Sequence, residues 1–360
     1  MKMRMLFVSA MTLACLGLRA QTRYVDASLF PVFGQVAPQS TARYERLPAS
    51  LEPRIRPALW QLGRNSAGLA IRFRSNTTQV RLRWENLNGF SMNHMTDTGV
   101  RGFDLYARLD GGEWRFAGSA RPGRGKSNDM RIVANMSPEE REYVLYLPLY
   151  DGVTKAEIGV DSTATISQPA VADPARRRPL VFYGTSILQG GCATRPGMAF
   201  TNIIERRLHR ECVNLGFSGN GQLDLDIARL MATADAGAFI LDFVPNCTVR
   251  QMQDSMMTFY DIIRRARPET PMLFVEQAMY TNGRFDRKTW ADITRKNEAF
   301  DSIFAIIRKR DKNVRLLKST DIIGHDDEAT VDGTHFTDLG MMRYADILTP
   351  LLGRMMRHDH

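Results

Sequence analysis

The sequence predicts a two-domain protein in which an all-β sandwich precedes an α/β domain with a parallel sheet. Short alternating strands with turns between them fill residues 21–168, which is typical of a sandwich. Strands alternate with helices over residues 180–360, which is typical of a parallel sheet covered on both sides. A polar stretch bounded by prolines at residues 169–179 separates the two patterns and indicates a linker. A chain of 360 residues is also long for a single core.

The first 20 residues have the features of a signal peptide. Two basic residues precede an apolar segment at 5–18, which is too short to span a membrane. A cut after Ala20 would release the remainder, so we expect an exported protein, periplasmic or secreted. The alternative is a lipoprotein signal with Cys15 as the lipidated residue, but residues 12–15 fit that pattern poorly.

The charge pattern argues against nucleic acid as a partner. The net charge is +9 at pH 7, and part of it lies in the first 20 residues. No basic run is interleaved with aromatic residues. Arg72, Arg74, Arg81 and Arg83 alternate with apolar residues, so we expect them on the solvated faces of strands. Attraction to an anionic glycan is the alternative reading of these arginines.

Beyond the signal peptide the chain has three cysteines, at positions 192, 212 and 247. An odd number at these spacings excludes a disulfide scaffold. Cys192 and Cys247 both follow predicted strands, so a bridge between them is conceivable, but we expect three buried or free thiols. No ligands occur at zinc spacing, and we expect neither a metal nor a cofactor.

The sandwich strands are predicted from period-two alternation bounded by turn residues. A Gly-rich turn at 110–112 predicts that the strands on its two sides form a hairpin. The predicted strands cover residues 70–74, 79–85, 102–109, 113–116, 143–149 and 156–160.

The α/β domain is predicted from buried strands followed by helical periodicity. Thr248 and Gln251 have the spacing of a capping box, which indicates the start of a long helix. The predicted strands cover 180–183, 212–215, 238–244, 272–276 and 314–317, and the predicted helices cover 198–210, 248–267, 292–310 and 338–357, with another beginning near residue 224.

Ser186 is the candidate nucleophile. It follows the apolar strand 180–183 through Gly184 and Thr185, so it lies at the strand end where open α/β sheets bind ligands. A serine at this place can also serve only as a helix N-cap. Its hydroxyl becomes a nucleophile only beside a base.

His335 is the candidate base, and Asp332 is the residue that would orient it. A spacing of three residues in a tight turn lets the carboxylate reach Nδ1 of the imidazole, which leaves Nε2 free to accept a proton. The alternative is a plain Asp-Gly turn followed by a threonine cap. Gly219 and Asn246 lie in loops after the next two strands and offer an N–H and an amide to an oxyanion, although both types are common in loops.

Ser186, Gly219, Asn246 and His335 occur in the order of the four blocks of the SGNH hydrolases, also called GDSL-type esterases, which this region resembles. Thr185 replaces the usual Asp of the first block, and Pro245 replaces the Gly that commonly precedes the Asn of the third. Residues 214–221 and 332–335 match the second and fourth blocks. The resemblance covers roughly residues 180–356 and implies a flavodoxin-like α/β fold.

A second resemblance concerns one bacterial branch of these hydrolases. Residues 102–106, Gly-Phe-Asp-Leu-Tyr, resemble the GxDLY signature of the β domain that precedes the hydrolase in that branch, which implies a jelly-roll-like sandwich at 21–168. Residues 189–192 and 195–198 resemble the same branch.

Together the resemblances imply a serine esterase with Ser186, Asp332 and His335 as the catalytic triad. Ser186, Gly219 and Asn246 would form the oxyanion hole, and neither metal nor cofactor would be needed. The expected substrate is a small-molecule or polysaccharide ester, most simply an acetylated carbohydrate, by analogy with carbohydrate esterase family two. The alternatives are a lipid or aryl esterase with the same mechanism and a glycan-binding protein without catalytic activity.

Overall fold

The structure, a computed structural model, describes residues 21–109, 112–169, 178–320 and 322–356. The predicted signal peptide, including Cys15, and most of the predicted linker at 169–179 lie outside these residues. Within the described part of the chain, no helix combines the length and the apolar character needed to cross a membrane.

The N-terminal half consists of two antiparallel sheets, as the sequence predicts. One sheet has the order β1-β9-β4-β7, and the other has the order β10-β3-β8-β5-β6 with β2 paired to β3. The strands are β1 (Thr22–Asp26), β2 (Val32–Phe33), β3 (Ala70–Ser75), β4 (Val80–Asn86), β5 (Phe103–Arg108), β6 (Arg115–Ala120), β7 (Ser127–Val133), β8 (Arg141–Tyr146), β9 (Val153–Asp161) and β10 (Ile166–Ser167), and the short helices are α1 (Pro57–Gly63) and α2 (Asp97–Arg101).

The two sheets face each other across an apolar core, so the N-terminal half is a sandwich. Phe73 and Leu145 of one sheet pack in the same cluster as Leu82, Trp84 and Ile158 of the other. Strands β5 and β6 pair as the predicted hairpin. In contrast, β3 and β4 are consecutive in the chain but lie in opposite sheets, so their connection crosses from one sheet to the other.

The C-terminal half is a five-stranded parallel sheet with the order β12-β11-β13-β14-β15, which is the flavodoxin-like order that the resemblance implies. Its strands are β11 (Leu180–Gly184), β12 (Cys212–Gly216), β13 (Ala238–Asp242), β14 (Met272–Val275) and β15 (Val314–Leu317). Its helices are α3 (Ser186–Gln189), α4 (Phe200–Leu208), α5 (Leu225–Thr233), α6 (Val249–Ala266), α7 (Arg287–Arg310) and α8 (Asp338–Met355).

Side-chain caps determine where α6 and α7 begin. The predicted capping box of Thr248 and Gln251 is present at the start of α6. Helix α7 begins five residues earlier than expected, because the Asp286 side chain accepts hydrogen bonds from the N–H groups of Lys288 and Thr289.

Both halves contribute to the apolar cores beside the parallel sheet. Leu59 and Trp60 of α1 pack in the same cluster as Phe217, on one face of the sheet. Met95 and Leu149 pack in the cluster on the opposite face. The sandwich therefore shares hydrophobic cores with the α/β half.

Charged residues are also buried between the halves. Arg72 of β3 donates to Glu205 of α4 at 3.0 Å, and both side chains are buried. The expectation that Arg72 lies on a solvated strand face is therefore wrong, because helix α4 covers this face of the sheet. Arg81 and Arg83 do lie on a more open face, where both pair with Asp129.

Asp104 of the GxDLY signature is the most completely buried carboxylate at this junction, with no exposed surface. It accepts hydrogen bonds from Ser119 Oγ at 2.6 Å, from Arg195 Nη1 at 2.6 Å and from the Gly197 N–H at 2.8 Å. The Tyr106 hydroxyl accepts from the same Arg195 nitrogen at 2.8 Å. The signature thus fixes the loop that follows α3.

We expect Asp104→Ala to lower the free energy of unfolding by about 3 kcal/mol, because it leaves a partly buried guanidinium and an N–H without their acceptor. Denaturant unfolding measures the change. Asp254→Ala is the matched control, since Asp254 is exposed and pairs with the exposed Arg250 in its own helix; we expect a loss below about 1 kcal/mol. Equal losses in the two variants would contradict the proposed importance of the Asp104 contact.

Candidate active site

Ser186 stands at the carboxyl end of the central strand β11, as the first residue of α3. All five residues of β11 are buried, and the chain turns sharply into the helix after Gly184. A Cβ on Gly184 would lie 2.0 Å from the carbonyl oxygen of Asp242, so only glycine fits there. Ser186 itself is 8% exposed, so most of its surface is covered.

His335 and Asp332 lie together in the loop that precedes α8. The Asp332 carboxylate accepts hydrogen bonds from the N–H groups of Thr334 at 3.0 Å and His335 at 2.8 Å. Gly333, which follows Asp332, has a φ of +86°, in the left-handed region that favours glycine. An antiparallel bridge between Thr330 and Phe336 closes the base of this loop.

The three side chains form one hydrogen-bonded chain. Ser186 Oγ lies 2.9 Å from His335 Nε2, and His335 Nδ1 lies 2.7 Å from Asp332 Oδ2. Partial burial acts to raise the pKa of Asp332, but hydrogen bonds from the His335 ring and from the backbone of the loop lower it below its ordinary value. The carboxylate is therefore ionised at neutral pH, and it holds the imidazole with Nε2 toward the serine.

Gly219 and Asn246 follow β12 and β13, whose carboxyl ends lie beside that of β11, so both residues lie at the same edge of the sheet as Ser186. Asn246 donates through Nδ2 to the Phe217 carbonyl at 3.2 Å, which leaves its second amide hydrogen available. Gly219 has a φ of +65°, and a Cβ there would meet open space. Within the described chain, the Gly219 N–H has no acceptor. Ser186 heads α3, so its N–H has no partner within that helix.

Two side chains to which the sequence analysis gave no role hold the loop that carries Gly219 in place. The buried Gln189 accepts from the Ser218 N–H at 2.9 Å and donates to the Leu149 carbonyl at 3.0 Å. Arg56, at the start of α1, donates to Asn220 Oδ1 at 2.7 Å and to the Asn220 carbonyl at 2.9 Å. The same guanidinium forms two hydrogen bonds with Asp224. The only sequence signal for Gln189 is its place in the 189–192 block.

His94 was also not predicted to lie at the site, yet its ring centroid is 5.6 Å from that of His335. It comes from the connection between β4 and α2, where no motif marks it. Cys192 lies beside both histidines, and burial raises its pKa to about 12, with the charge of Asp332 acting in the same direction. Cys192 is therefore a thiol at neutral pH and does not compete with Ser186 as a nucleophile.

All three described cysteines are free and buried. Cys192 and Cys247 are thus not bridged in the structure. The sequence offered no zinc spacing, but the fold brings His94, Cys192 and His335 together as a group with metal-binding atoms.

Two family models match the chain. Residues 177–353 match the GDSL-like lipase/acylhydrolase family, and residues 22–166 match the GxDLY domain described as the N-terminus of SGNH-type esterases. A solved structure from Bacteroides ovatus ATCC 8483, described as a GDSL-like lipase, is 35% identical in sequence, covers 94% of this chain and 98% of its own, and superimposes with a TM-score of 0.89.

The chain belongs to the GDSL-like lipase/acylhydrolase family. Membership rests on identity over nearly the whole of both chains, together with the family models. The chain is accordingly an ester-hydrolysing serine hydrolase with a GxDLY sandwich in front.

More distant structures share the fold of this GDSL-like hydrolase. The salicylyl-acyltransferase SsfX3 from a tetracycline biosynthetic pathway is 17% identical, with 94% of this chain and 99% of its own covered and a TM-score of 0.74. A family two carbohydrate esterase from Cellvibrio japonicus is 12% identical, with 93% and 98% covered and a TM-score of 0.59. No match is found among curated proteins.

Proposed function

We propose that this GDSL-like hydrolase is an exported esterase that removes small acyl groups, most simply acetyl, from carbohydrate through Ser186, His335 and Asp332. The observation that carries the proposal is the unbroken hydrogen-bonded chain from Ser186 Oγ through the imidazole to Asp332, at distances of 2.9 and 2.7 Å. The proposal is also supported by Gly219 and Asn246, which follow the two neighbouring strands at the same edge of the sheet and could donate to an oxyanion, as acyl transfer requires.

In the first half of the reaction, Ser186 Oγ attacks the ester carbonyl carbon while its proton moves to His335 Nε2. The carbonyl oxygen becomes an oxyanion, which accepts hydrogen bonds from the N–H groups of Ser186 and Gly219 and from the Asn246 amide. The ionised Asp332 stabilises the imidazolium. When the tetrahedral intermediate collapses, the imidazolium gives its proton to the departing alcohol, and Ser186 retains the acyl group.

In the second half, water takes the place of the alcohol. His335 Nε2 accepts a proton from the water as its oxygen attacks the acyl carbon, and the same donors hold the second oxyanion. Collapse returns the proton to Ser186 Oγ and releases the carboxylic acid. The residues of this chain supply every proton transfer in the cycle.

The surroundings of the site support a small acyl group and a polar alcohol. Ser186 is 8% exposed, and this burial favours a small acyl group over a long acyl chain at its hydroxyl. A cavity of about 580 Å³ is lined by Thr334, the neighbour of His335, and by charged side chains such as Lys288 and Asp292, while the triad residues themselves lie outside its lining. Such a lining suits hydroxyl-rich sugars better than lipid.

Two further features support carbohydrate as the substrate. The carbohydrate esterase from Cellvibrio japonicus shares the fold across 93% of this chain, sandwich included, although a likeness at 12% identity concerns the fold alone. The basic and apolar segments of residues 1–20 support export, which would bring the enzyme to extracellular polysaccharide. A lipid or aryl esterase and a glycan-binding protein without turnover are the alternatives that the assays below separate.

We expect Ser186→Ala to lower kcat for 4-nitrophenyl acetate by roughly 10⁴-fold or more, because the nucleophile is lost. Circular dichroism should show an unchanged fold, since alanine fits the same site. Ser302→Ala, on the outer face of α7, is the control and should retain wild-type activity. Activity of Ser186→Ala within about tenfold of the wild type would exclude Ser186 as the nucleophile.

We expect Asn246→Ala to lower kcat by roughly 10²–10³-fold with little change in KM, because the amide hydrogen that is not bonded to Phe217 donates to the oxyanion only as its charge develops. Asn313→Ala, which removes an exposed amide before β15, should leave both constants unchanged. A change confined to KM would instead make Asn246 a substrate-binding residue.

We expect kcat/KM for acetyl esters to exceed that for octanoyl esters by at least roughly tenfold, because the crowded serine disfavours long acyl chains. The same preparation should release acetate from acetylated oligosaccharides, and Ser186→Ala gives the background rate. A preference for octanoyl esters would favour the lipid esterase, and no turnover of any ester would favour the glycan-binding alternative.

A further inference from the structure

We propose that His94, Cys192 and His335 form a binding site for a soft divalent cation such as Zn²⁺, and that the bound cation switches off ester hydrolysis. We call these three residues the His–Cys–His cluster. One ligand atom from each residue lies within 4.8 Å of the other two. No step of the proposed reaction uses His94 or Cys192, so the cluster requires its own explanation.

His94 reaches the cluster from the sandwich on a connection that is fixed at both ends. The N–H groups of Asn88 and Gly89 donate to the Asp151 carboxylate at 2.9 and 2.7 Å. On the other side, the Met95 side chain packs in the apolar core and the Thr96 hydroxyl donates to the Thr194 carbonyl. The imidazole is therefore held next to His335 rather than extended into solvent.

Cys192 reaches the cluster from the loop after α3, and it is 4% exposed. Its φ is +70°, in the left-handed region that residues other than glycine and asparagine seldom adopt. The preceding Gly191 donates to the Ser186 carbonyl at 2.7 Å, which fixes the loop beside the nucleophile. The sulfur is thus held against the two imidazoles by backbone contacts.

The donor set matches the preference of zinc. Zn²⁺ binds imidazole nitrogen at about 2.0–2.1 Å and thiolate sulfur at about 2.3 Å in a tetrahedral arrangement, so its ligand atoms lie roughly 3.3–3.6 Å from one another. Side-chain movements that shorten the separations in the cluster by about 1–1.5 Å would close it to that size. Two imidazoles and one thiolate leave a fourth position open for water or for Ser186 Oγ.

His335 is already prepared as a ligand. Its Nδ1 is hydrogen-bonded to Asp332 at 2.7 Å, so Nε2 carries the lone pair that a cation would take. Carboxylate–histidine pairs of this kind orient the imidazoles that bind zinc in proteins. Binding of the cation at Nε2 displaces the hydrogen bond from Ser186 and removes the acceptor for its proton. The thiol proton of Cys192 is released to solvent when its sulfur coordinates.

The first test measures binding without turnover. Co²⁺ is added to the full-length Ser186→Ala protein, which retains all three ligands, and the absorption spectrum is recorded. We expect one equivalent to bind with a thiolate-to-cobalt charge-transfer band. In the Ser186→Ala background, the second substitution Cys192→Ser should abolish the band. The second substitution His94→Gln should weaken cobalt binding by more than roughly 100-fold, which exceeds the loss expected when a residue that only hydrogen-bonds to a metal ligand is removed. Absence of the band in Ser186→Ala would overturn the proposal.

The second test measures inhibition. Zn²⁺ should inhibit hydrolysis of 4-nitrophenyl acetate reversibly, with recovery on adding a chelator. Mg²⁺ and Ca²⁺ should have no effect, because both prefer oxygen ligands. The inhibition constant should rise by more than roughly 100-fold in His94→Gln and Cys192→Ser, each measured against its own metal-free rate.

The controls are Cys212→Ser and His325→Gln, which remove a thiol and an imidazole outside the cluster and should leave inhibition at the wild-type level. Equal inhibition of the wild type and both cluster variants would overturn the proposal. The cobalt test does not depend on the proposed esterase activity. If the protein hydrolyses no ester, the charge-transfer band should still appear, so failure of the proposed function can be distinguished from failure of the proposed cation site.

Discussion

The buried carboxylate of Asp104 is the constraint on which the rest of the molecule depends. A charge removed from water must be paired, and the partners of Asp104 come from both halves: Ser119 from the sandwich, and Arg195 and the Gly197 N–H from the loop after α3. Neither half can satisfy this group alone. The GxDLY signature therefore encodes a contact between the halves, in addition to a strand of the sandwich.

Other side chains of the N-terminal half also donate hydrogen bonds to the C-terminal half, and one of them contacts the loop of the candidate site. Arg46 is 1% exposed and donates to four carbonyl oxygens, including those of Asn214 and Gly216 on β12. Burial lowers the pKa of Arg46 to about 9, so its guanidinium is still charged at neutral pH. Arg56 fixes the loop that carries Gly219. The geometry proposed for catalysis thus rests on contacts that cross between the halves.

Sequence reasoning succeeded where the determinant is local. The turn that joins Asp332 to His335 and the capping box of α6 each span four residues, so each could be recognised without the fold. It failed where the determinant is packing. Nothing near Arg72 indicates that a helix covers it, and nothing near His94 indicates that it meets His335, because those partners come from distant parts of the chain.

The dependence of the Ser186 nucleophile on the Asp104 contact is tested most directly by the rate at which a serine-directed phosphonate labels the protein, with the modified peptide identified by mass spectrometry. We compare the wild type with Asp104→Ala well below the melting temperature of either. We expect labelling at Ser186 alone, and labelling at least about tenfold slower in Asp104→Ala, because the loop beside the nucleophile loses its anchor. Labelling at another residue, or at the same rate in both proteins, would contradict this expectation.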